Sequence, residues 1–316
     1  MKLLTEIPLP PQQHNQIDYN SKILLLGSCF SENIGEKFNY FKFQSKVNPF
    51  GILFHPLAIE QLITRSINKD YYSEDDLHFH NEQWSCLDVH SKLNIASKED
   101  LLETLNSQID ATCNQLINAS HVIITLGTSW VYRYIASDKI VANCQKLPQK
   151  QFLKELLSIE EITESLEAII TLVRDINPNV NFTFTVSPVR HIKDGFVENM
   201  QSKAHLIAAI HKVVEPRHQN NYFPSYEILM DELRDYRYYA EDMIHPNPTA
   251  IDYIWEKFQN VWISETTSGT MDAVETIQKG LQHKPFNSAS EAHQKFLQKL
   301  EDKKAKLQIK FPHITF

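Results

Sequence analysis

Short apolar runs alternate with longer amphipathic stretches along most of this chain, and this alternation limits the folds that it can adopt. The apolar runs have the length of buried strands and cover residues 22–26, 41–47, 121–126, 181–186 and, more weakly, 222–228. The stretches with helical spacing cover residues 31–38, 57–66, 98–118, 159–176 and 199–214. Strands that alternate with helices form a mostly parallel sheet with helices on both faces. The sequence therefore predicts an α/β fold with three α/β/α layers around a five-stranded sheet.

Two stretches depart from this alternation. Residues 68–95 are polar and aromatic and carry several histidines, so we predict a cap inserted beside the C-terminal edge of the sheet. After residue 262 comes a stretch rich in Ser, Thr and Gly, followed by a charged helix over about 288–306. We therefore predict one domain over residues 1–262, with the cap at about 68–95, and a helical C-terminal appendage over residues 263–316.

Composition and charge exclude several classes of protein. The chain has 316 residues, 42% hydrophobic and 22% charged, as an ordinary folded protein has. No run approaches the roughly 20 apolar residues that cross a bilayer, and the first residues lack the basic and apolar regions of a secretory signal. We therefore expect a cytoplasmic protein with no membrane contact. A net charge of -8 without any block of Lys and Arg also predicts no nucleic-acid partner.

The cysteines predict free thiols. The four cysteines are Cys29, Cys86, Cys113 and Cys144. They show no CxxC spacing, which argues against both a disulfide framework and a zinc-thiolate site. His78 and His80 would place two imidazoles on one strand face, but no carboxylate or cysteine spacing completes a ligand set. We therefore expect neither a metal nor an organic cofactor.

Glycine marks the candidate site. The chain has only 7 glycines in 316 residues, about 2% where about 7% is usual. Three of them, Gly27, Gly51 and Gly127, stand at or just beyond the ends of apolar segments. An α/β sheet carries its ligand-facing turns at those ends. The three glycines therefore predict turns around one functional site.

The first turn carries two candidate nucleophiles, Ser28 and Cys29, between a buried strand and a helix. A nucleophile there stands at the C-terminal edge of the sheet, and the partial positive charge of a helix N-terminus favours a thiolate. The alternative is that Ser28 caps the helix and Cys29 is a small buried hydrophobic residue.

A second candidate segment contains Asp242 and His245. Asn247 and Pro248 are typical of an N-cap and a first helical residue, so His245 is predicted to lie in the loop before that helix. Asp242 can hold the imidazole in one tautomer, as the third member of a catalytic triad does. The alternative is a surface hydrogen bond between the two side chains.

Together these segments resemble the GSCFA-domain proteins, a branch of the SGNH (GDSL-like) hydrolase superfamily, over about residues 23–258. The four sequence blocks of the superfamily fall in order on residues 27–29, 48–51, 127–129 and 242–245. Further stretches similar to the GSCFA pattern are residues 187–191, 194–195 and 222–227. The resemblance implies the flavodoxin-like SGNH-hydrolase fold. It also implies an acyl-ester hydrolase or acyltransferase that acts on a small or carbohydrate-linked ester through an acyl-enzyme.

The resemblance also implies a role for each catalytic residue. Cys29, and not Ser28, falls on the superfamily's serine, so the nucleophile it implies is a thiol. Some acyltransferases of this kind also carry cysteine there, which keeps acyl transfer open beside hydrolysis. His245 would be the base, and Asp242 would orient it.

The oxyanion hole departs from the superfamily pattern. Ser129 stands where the superfamily has a donating asparagine, two residues after Gly127. We predict that Asn48 substitutes for that asparagine and that the backbone amides of Cys29 and Gly51 complete the hole, and we include Gly127 and Ser129 among its residues.

Four further residues are predicted to bind substrate. Arg190 would bind a carboxylate or phosphate through its planar guanidinium, although a structural ion pair explains it equally well. His55, His90 and Trp130 would line the pocket. Two other functions compete with the enzyme: a catalytically inactive binding protein with this fold, and a redox sensor that uses Cys29 as a low-pKa thiol.

Overall fold

A computed structural model describes residues 5–215, 219–288 and 290–316. The strands, in chain order, are β1 (Lys22–Gly27), β2 (Gln44–Val47), β3 (Leu77–His80), β4 (Gln83–Cys86), β5 (His121–Leu126), β6 (Trp130–Tyr134), β7 (Lys139–Val141), β8 (Phe152–Leu156), β9 (Asn181–Val186) and β10 (Asn220–Tyr222). The α-helices are α1 (Cys29–Tyr40), α2 (Pro56–Asn68), α3 (Lys98–Asn118), α4 (Ile159–Ile176), α5 (Phe196–Val213), α6 (Ser225–Glu227), α7 (Pro248–Trp262), α8 (Ser268–Gln282) and α9 (Glu291–Lys310).

The central sheet contains five parallel strands in the order β10-β9-β5-β1-β2. The chain runs from β1 outward to β2 and then returns to the other side of β1 as β5. This reversal makes the crevice between the C-terminal ends of β1 and β5 the topological switch point, where open α/β sheets bind their ligands. The three-layer α/β/α fold predicted from the sequence is confirmed.

The two faces of β1 supply two separate cores. Leu24 and Leu26 pack in a cluster with residues of α2, α3, α4 and α5, whereas Ile23 and Leu25 pack on the opposite face with α1 and α7. This division follows from the two-residue period of strand side chains. The fully apolar run in the sequence is therefore a strand buried on both faces.

Several predicted boundaries differ from the structure, and two of these differences have a local cause. The first helix begins at Cys29, because Ser28 and not Ser31 is its N-cap, and it continues to Tyr40. The fifth strand covers only Asn220–Tyr222, and residues 225–233 are helical instead of extended. Pro224 follows the strand directly, and a proline has no amide hydrogen to continue a sheet ladder.

The predicted cap contains an antiparallel hairpin of β3 and β4. A further antiparallel sheet, in the order β7-β6-β8, follows the Gly127 turn and has no counterpart among the sequence predictions. It forms a wall beside the C-terminal edge of the central sheet.

The C-terminal appendage is a pair of helices. Helix α8 lies in the stretch that the sequence identified only as rich in Ser, Thr and Gly. Helix α9 begins at Glu291 and not near residue 288, and residue 289 lies outside the described residues. Val274 and Ile277 of α8 pack against Leu300 and Leu307 of α9. No helix in the described part of the chain is long and apolar enough to cross a membrane.

Candidate functional site

The turn after β1 tolerates only glycine at its first position. Gly27 has a φ of +130°, and a Cβ there would lie 2.1 Å from the carbonyl oxygen of Thr125 on β5. The next residue, Ser28, is fully buried, and its Oγ accepts a hydrogen bond of 3.3 Å from the Phe30 amide. Ser28 is therefore the N-cap of α1.

Cys29 is the first residue of α1 and is partly exposed. Its backbone N–H belongs to the first turn, where helical amides have no partner inside the helix. Burial raises the pKa of the Cys29 thiol, and the Glu32 carboxylate raises it further, while nearby amides and Lys203 oppose this. The sequence predicted that the helix N-terminus would favour a thiolate, but desolvation of the sulfur outweighs that effect.

The turn between β2 and α2 holds Asn48 beside the first turn. The Asn48 Oδ1 accepts a hydrogen bond of 2.8 Å from the Gly27 amide. Its Nδ2 is buried and has no partner among the described residues. The Gly51 amide, in contrast, donates to the Asn48 carbonyl at 2.8 Å. The predicted oxyanion donor Gly51 is thus already engaged in the turn, whereas Asn48 keeps an open donor.

The turn after β5 offers no free donor at its predicted positions. The Gly127 amide donates to the Phe54 carbonyl at 2.8 Å. Ser129 is fully buried, and both its amide and its hydroxyl bond to Ser202 on α5. Ser129 is therefore part of the packing between the wall sheet and α5, and neither residue supplies the oxyanion donor that the sequence assigned to this turn.

Lys203 is a buried cation at this edge that the sequence analysis did not include. It lies fully buried on α5, and its Nζ donates to the carbonyls of Gly127 at 2.8 Å and Ser187 at 2.7 Å. Burial lowers the pKa of Lys203 to about 7, and the charge of Cys29 opposes this shift. The sequence contains one signal for this position. Lys203 has helical spacing with Leu206 and Ile210, so it falls on the buried face of α5.

His191 lies beside the same turn. A Cβ on Gly127 would lie 3.2 Å from the His191 Nε2, and this buried nitrogen has no partner among the described residues. Burial lowers the pKa of His191 to about 3, and the charges of Lys203 and His245 lower it further. His191 is therefore within electrostatic reach of both of these residues.

Asp242 and His245 form the pair that the sequence predicted. The Asp242 Oδ2 lies 2.6 Å from the His245 Nδ1, and the Asp242 Oδ1 accepts hydrogen bonds from the amides of Ile244 and His245. These contacts lower the pKa of Asp242 to about 2, and the hydrogen bond from the His245 backbone amide makes the largest contribution. The pair is partly exposed, with side-chain exposures of 45% and 47%.

Cys29 and His245 come from different elements, and each interacts electrostatically with a largely buried side chain at this edge of the sheet. Cys29 interacts electrostatically with Lys203, and His245 interacts with His191. In the described residues no hydrogen bond joins Cys29 to His245. Catalytic hydrogen bonds are often long in proteins without substrate and shorten when substrate binds.

The predicted substrate-binding residues divide into two groups. His55 is buried, its Nδ1 caps α2 at the Ala58 amide, and its Nε2 lies 3.1 Å from the Val141 carbonyl. Both ring nitrogens are used inside the protein, and burial lowers the pKa of His55 to about 4. His55 therefore holds the wall sheet to α2 and has no group left to bind substrate through a hydrogen bond. Trp130 is similar, because its Nε1 donates to the Glu198 carbonyl, although its ring remains part of a cavity.

Arg190 and His90 border the site on opposite sides. The Arg190 guanidinium lies 4.1 Å from the ring centroid of Tyr239. The backbone amide of Arg190 donates a hydrogen bond to the Ile244 carbonyl. The loop that carries His245 is thus attached directly to the end of β9. On the other side, a Cβ on Gly51 would lie 2.5 Å from the His90 Cβ, so the absence of a side chain at Gly51 admits His90 to the site.

A cavity of about 260 Å³ opens between the wall sheet and the turn that carries His191. Its lining is apolar over most of its area, from residues that include Phe54, Trp130, Tyr132 and Val141. It also contains the polar residues Thr128 and His191 and the charged residues Lys193 and Asp194. The described residues contain no group of three or more His, Cys, Asp and Glu side chains that could hold a metal ion.

Comparison with known families identifies the family of this chain. A model described as the GSCFA family matches residues 22–258, which is more than half of the chain. The chain belongs to the GSCFA family. A second model, described as the C-terminal domain of GSCFA domain proteins, matches residues 274–316. The first GSCFA match covers the sheet and the candidate site, and the second begins inside α8. No curated protein matches the chain.

Proposed function

We propose that this GSCFA protein is an SGNH-type acyl-ester hydrolase or acyltransferase that works through an acyl-enzyme on Cys29. The substrate would be a small or carbohydrate-linked ester. The observation that carries the proposal is the Asp242–His245 pair, with its 2.6 Å contact, at the same strand edge as a partly exposed cysteine on the first residue of a helix. The order of the four matching segments supports membership of the SGNH superfamily.

The raised pKa of Cys29 defines how the thiol must be activated. At neutral pH the sulfur carries its proton, so attack requires a base. Asp242 holds the proton on the His245 Nδ1, which leaves Nε2 to accept the proton from the thiol. The sulfur then bonds to the acyl carbon while the carbonyl electrons move to the oxygen.

Two donors are open to that oxyanion, the Cys29 amide and the Asn48 Nδ2. When the tetrahedral intermediate collapses, the bond to the leaving oxygen breaks and His245 returns the proton to it. The product is a thioester on Cys29. Water or another hydroxyl then attacks the thioester carbonyl while His245 takes its proton. The bond between carbon and sulfur breaks and the proton returns to the Cys29 sulfur, which gives the free acid or the transferred ester.

Kinetics of a short-chain nitrophenyl ester test this proposal. We expect Cys29→Ala to abolish turnover and His245→Gln to lower it by about 10²-fold to 10⁴-fold, because a general base contributes that range. Ser28→Ala should retain activity, since Ser28 caps a helix. Cys144→Ala is the matched control, because Cys144 is another partly buried thiol near the site. Equal rates in wild type and Cys29→Ala would contradict the proposal.

A catalytically inactive binding protein is the second candidate. The raised pKa of Cys29 and the missing hydrogen bond to His245 favour it. It predicts that wild type forms no acyl adduct with any ester and that Cys29→Ala binds ligand as wild type does. The same raised pKa argues against a redox sensor, which needs an acidic thiol. The cytoplasmic location and the absence of nucleic-acid and membrane partners stay predictions.

A further inference from the structure

The oxyanion site described above has one corner without a donor. Its two proposed donors, the Cys29 amide and the Asn48 Nδ2, belong to the turns after β1 and β2. The turn after β5 should supply a third group, but the Gly127 amide and the Ser129 hydroxyl are both engaged inside the protein. A buried group from another element must complete this corner if the site stabilises an oxyanion.

His191 lies beside the Gly127 turn. Gly127 has no positive φ, so its backbone does not require glycine. What glycine provides there is space, because a Cβ would lie 3.2 Å from the His191 Nε2 and 3.3 Å from the Phe54 ring. The His191 amide donates to the Asn199 Oδ1 at 2.8 Å, which fixes the turn that carries the ring. The imidazole therefore stands where a side chain following β5 would point.

The His191 Nε2 is also an exception among the buried histidines. Both ring nitrogens of His55 are hydrogen bonded, and His121 bonds to the Ser120 Oγ at 2.9 Å and to the Asn15 carbonyl at 2.8 Å. A buried polar group without a partner costs about 1–3 kcal/mol. His191 lines the cavity between the wall sheet and its own turn. A ligand oxygen that reached the buried Nε2 from this cavity would remove the cost.

The surroundings keep the imidazole neutral. Desolvation, the Lys203 ammonium and His245 disfavour a charged ring, and the carboxylate of Asp194 opposes them only in part. Asp194 is itself paired with Lys154 at 2.5 Å. Because its pKa is so low, the His191 ring is a weak base that does not compete with His245 for the thiol proton, and in its neutral form it can donate from one ring nitrogen to an oxygen.

We propose that His191 donates its Nε2 proton to the carbonyl oxygen of a short apolar acyl group bound in the cavity lined by Phe54, Trp130, Tyr132 and Val141. His191 would then be the third oxyanion donor, in the place of the superfamily's asparagine. This inference rests on the proposed function and narrows it, since the mostly apolar lining fits an uncharged acyl group.

A binding measurement tests the inference without catalysis. Cys29→Ala protein with ¹⁵N-labelled histidine is titrated with butyramide, an uncharged amide with the acyl chain in question. The spectrum of Cys29→Ala/His191→Phe identifies the His191 ring signals by their absence. We expect butyramide to shift the His191 Nε2 resonance and to leave His55 and His121 unchanged. No shift at His191 with saturating butyramide would overturn the inference.

A rate comparison tests the donor role. The oxyanion forms when an ester acylates Cys29 but not when iodoacetamide alkylates it. We expect His191→Phe to slow acylation by about 10²-fold to 10³-fold, as the loss of one oxyanion donor does, and alkylation by less than about threefold. His191→Gln, which keeps an N–H donor, should recover part of the loss. Equal slowing of both reactions would contradict the donor role.

The two proposals fail differently. If butyramide shifts His191 but wild type never forms an acyl adduct, the acyl-enzyme fails and the binding site stands. If wild type acylates on Cys29 but His191→Phe acylates at the same rate, the acyl-enzyme stands and the inference is wrong.

Discussion

Replacing Lys203 with methionine removes a buried ionisable group and keeps a side chain of similar length. In the folded protein burial lowers the pKa of Lys203 from its ordinary 10.5 to about 7. The unfolded chain therefore holds more protons than the folded protein between about pH 7 and pH 10.5. Lys203 therefore makes a contribution to the free energy of unfolding that rises with pH in this window, and Lys203→Met lacks this contribution.

The magnitude follows from the size of the shift. Each pKa unit corresponds to about 1.36 kcal/mol, so the full lowering corresponds to about 5 kcal/mol. Between pH 7 and pH 9 the wild type should gain about 2 kcal/mol relative to Lys203→Met. The variant also loses the hydrogen bonds to Gly127 and Ser187, at a cost of about 1–3 kcal/mol each. This loss lowers its free energy of unfolding by the same amount at every pH and does not change the slope against pH.

The assay is urea unfolding, followed by tryptophan fluorescence at several pH values from 7 to 9. Lys212→Met is the matched control, because Lys212 lies on the exposed face of the same helix and pairs with Glu160 at 3.0 Å. We expect the control to follow the wild type at every pH. If the free energy of unfolding of Lys203→Met changes with pH as that of the wild type does, burial does not lower the pKa of Lys203 and the prediction is wrong.

Three further substitutions give separate outcomes. Ser28→Ala removes a helix cap and should cost about 0.5–2 kcal/mol in urea unfolding, while iodoacetamide alkylation of Cys29 continues at the wild-type rate. Gly27→Ala forces a Cβ to 2.1 Å from the Thr125 carbonyl oxygen at a φ of +130°, so thermal unfolding should show a loss of at least about 3 kcal/mol or no folded protein. Asp242→Asn should lower ester turnover about a hundredfold or more, because the amide no longer fixes the tautomer of His245, and unchanged turnover would show that Asp242 does not orient the base.

The sequence predicted the central sheet well because its strands are defined locally. The continuous apolar runs at 121–126 and 181–186 match β5 and β9 to the residue, and the helices at 98–118 and 159–176 match α3 and α4. The wall sheet was missed because its strands are partly exposed and pair across long loops. The fifth strand was misplaced because apolar spacing alone does not separate a strand from a buried helix over residues 222–233.

The candidate site divides in the same way. Asp242 and His245 are three residues apart, so their contact was visible in the sequence. The engagement of Ser129 depends on Ser202, which comes from a distant helix and has no local signal. His191 and Lys203 reach the Gly127 turn from β9 and α5, and only their convergence in space distinguishes them from other polar residues.

The proposed mechanism requires the transfer of an acyl group to the sulfur of Cys29. The most direct measurement is rapid acid quenching of the wild type with a short-chain nitrophenyl ester, followed by peptide mass spectrometry. Ser28 and Cys29 fall on the same peptide, so neutral hydroxylamine is used to distinguish a thioester, which it cleaves rapidly, from an oxygen ester. The account predicts one hydroxylamine-sensitive acyl group on the peptide that contains Cys29. An acyl group on Cys144, a hydroxylamine-resistant ester on Ser28, or no adduct at any time point would contradict it.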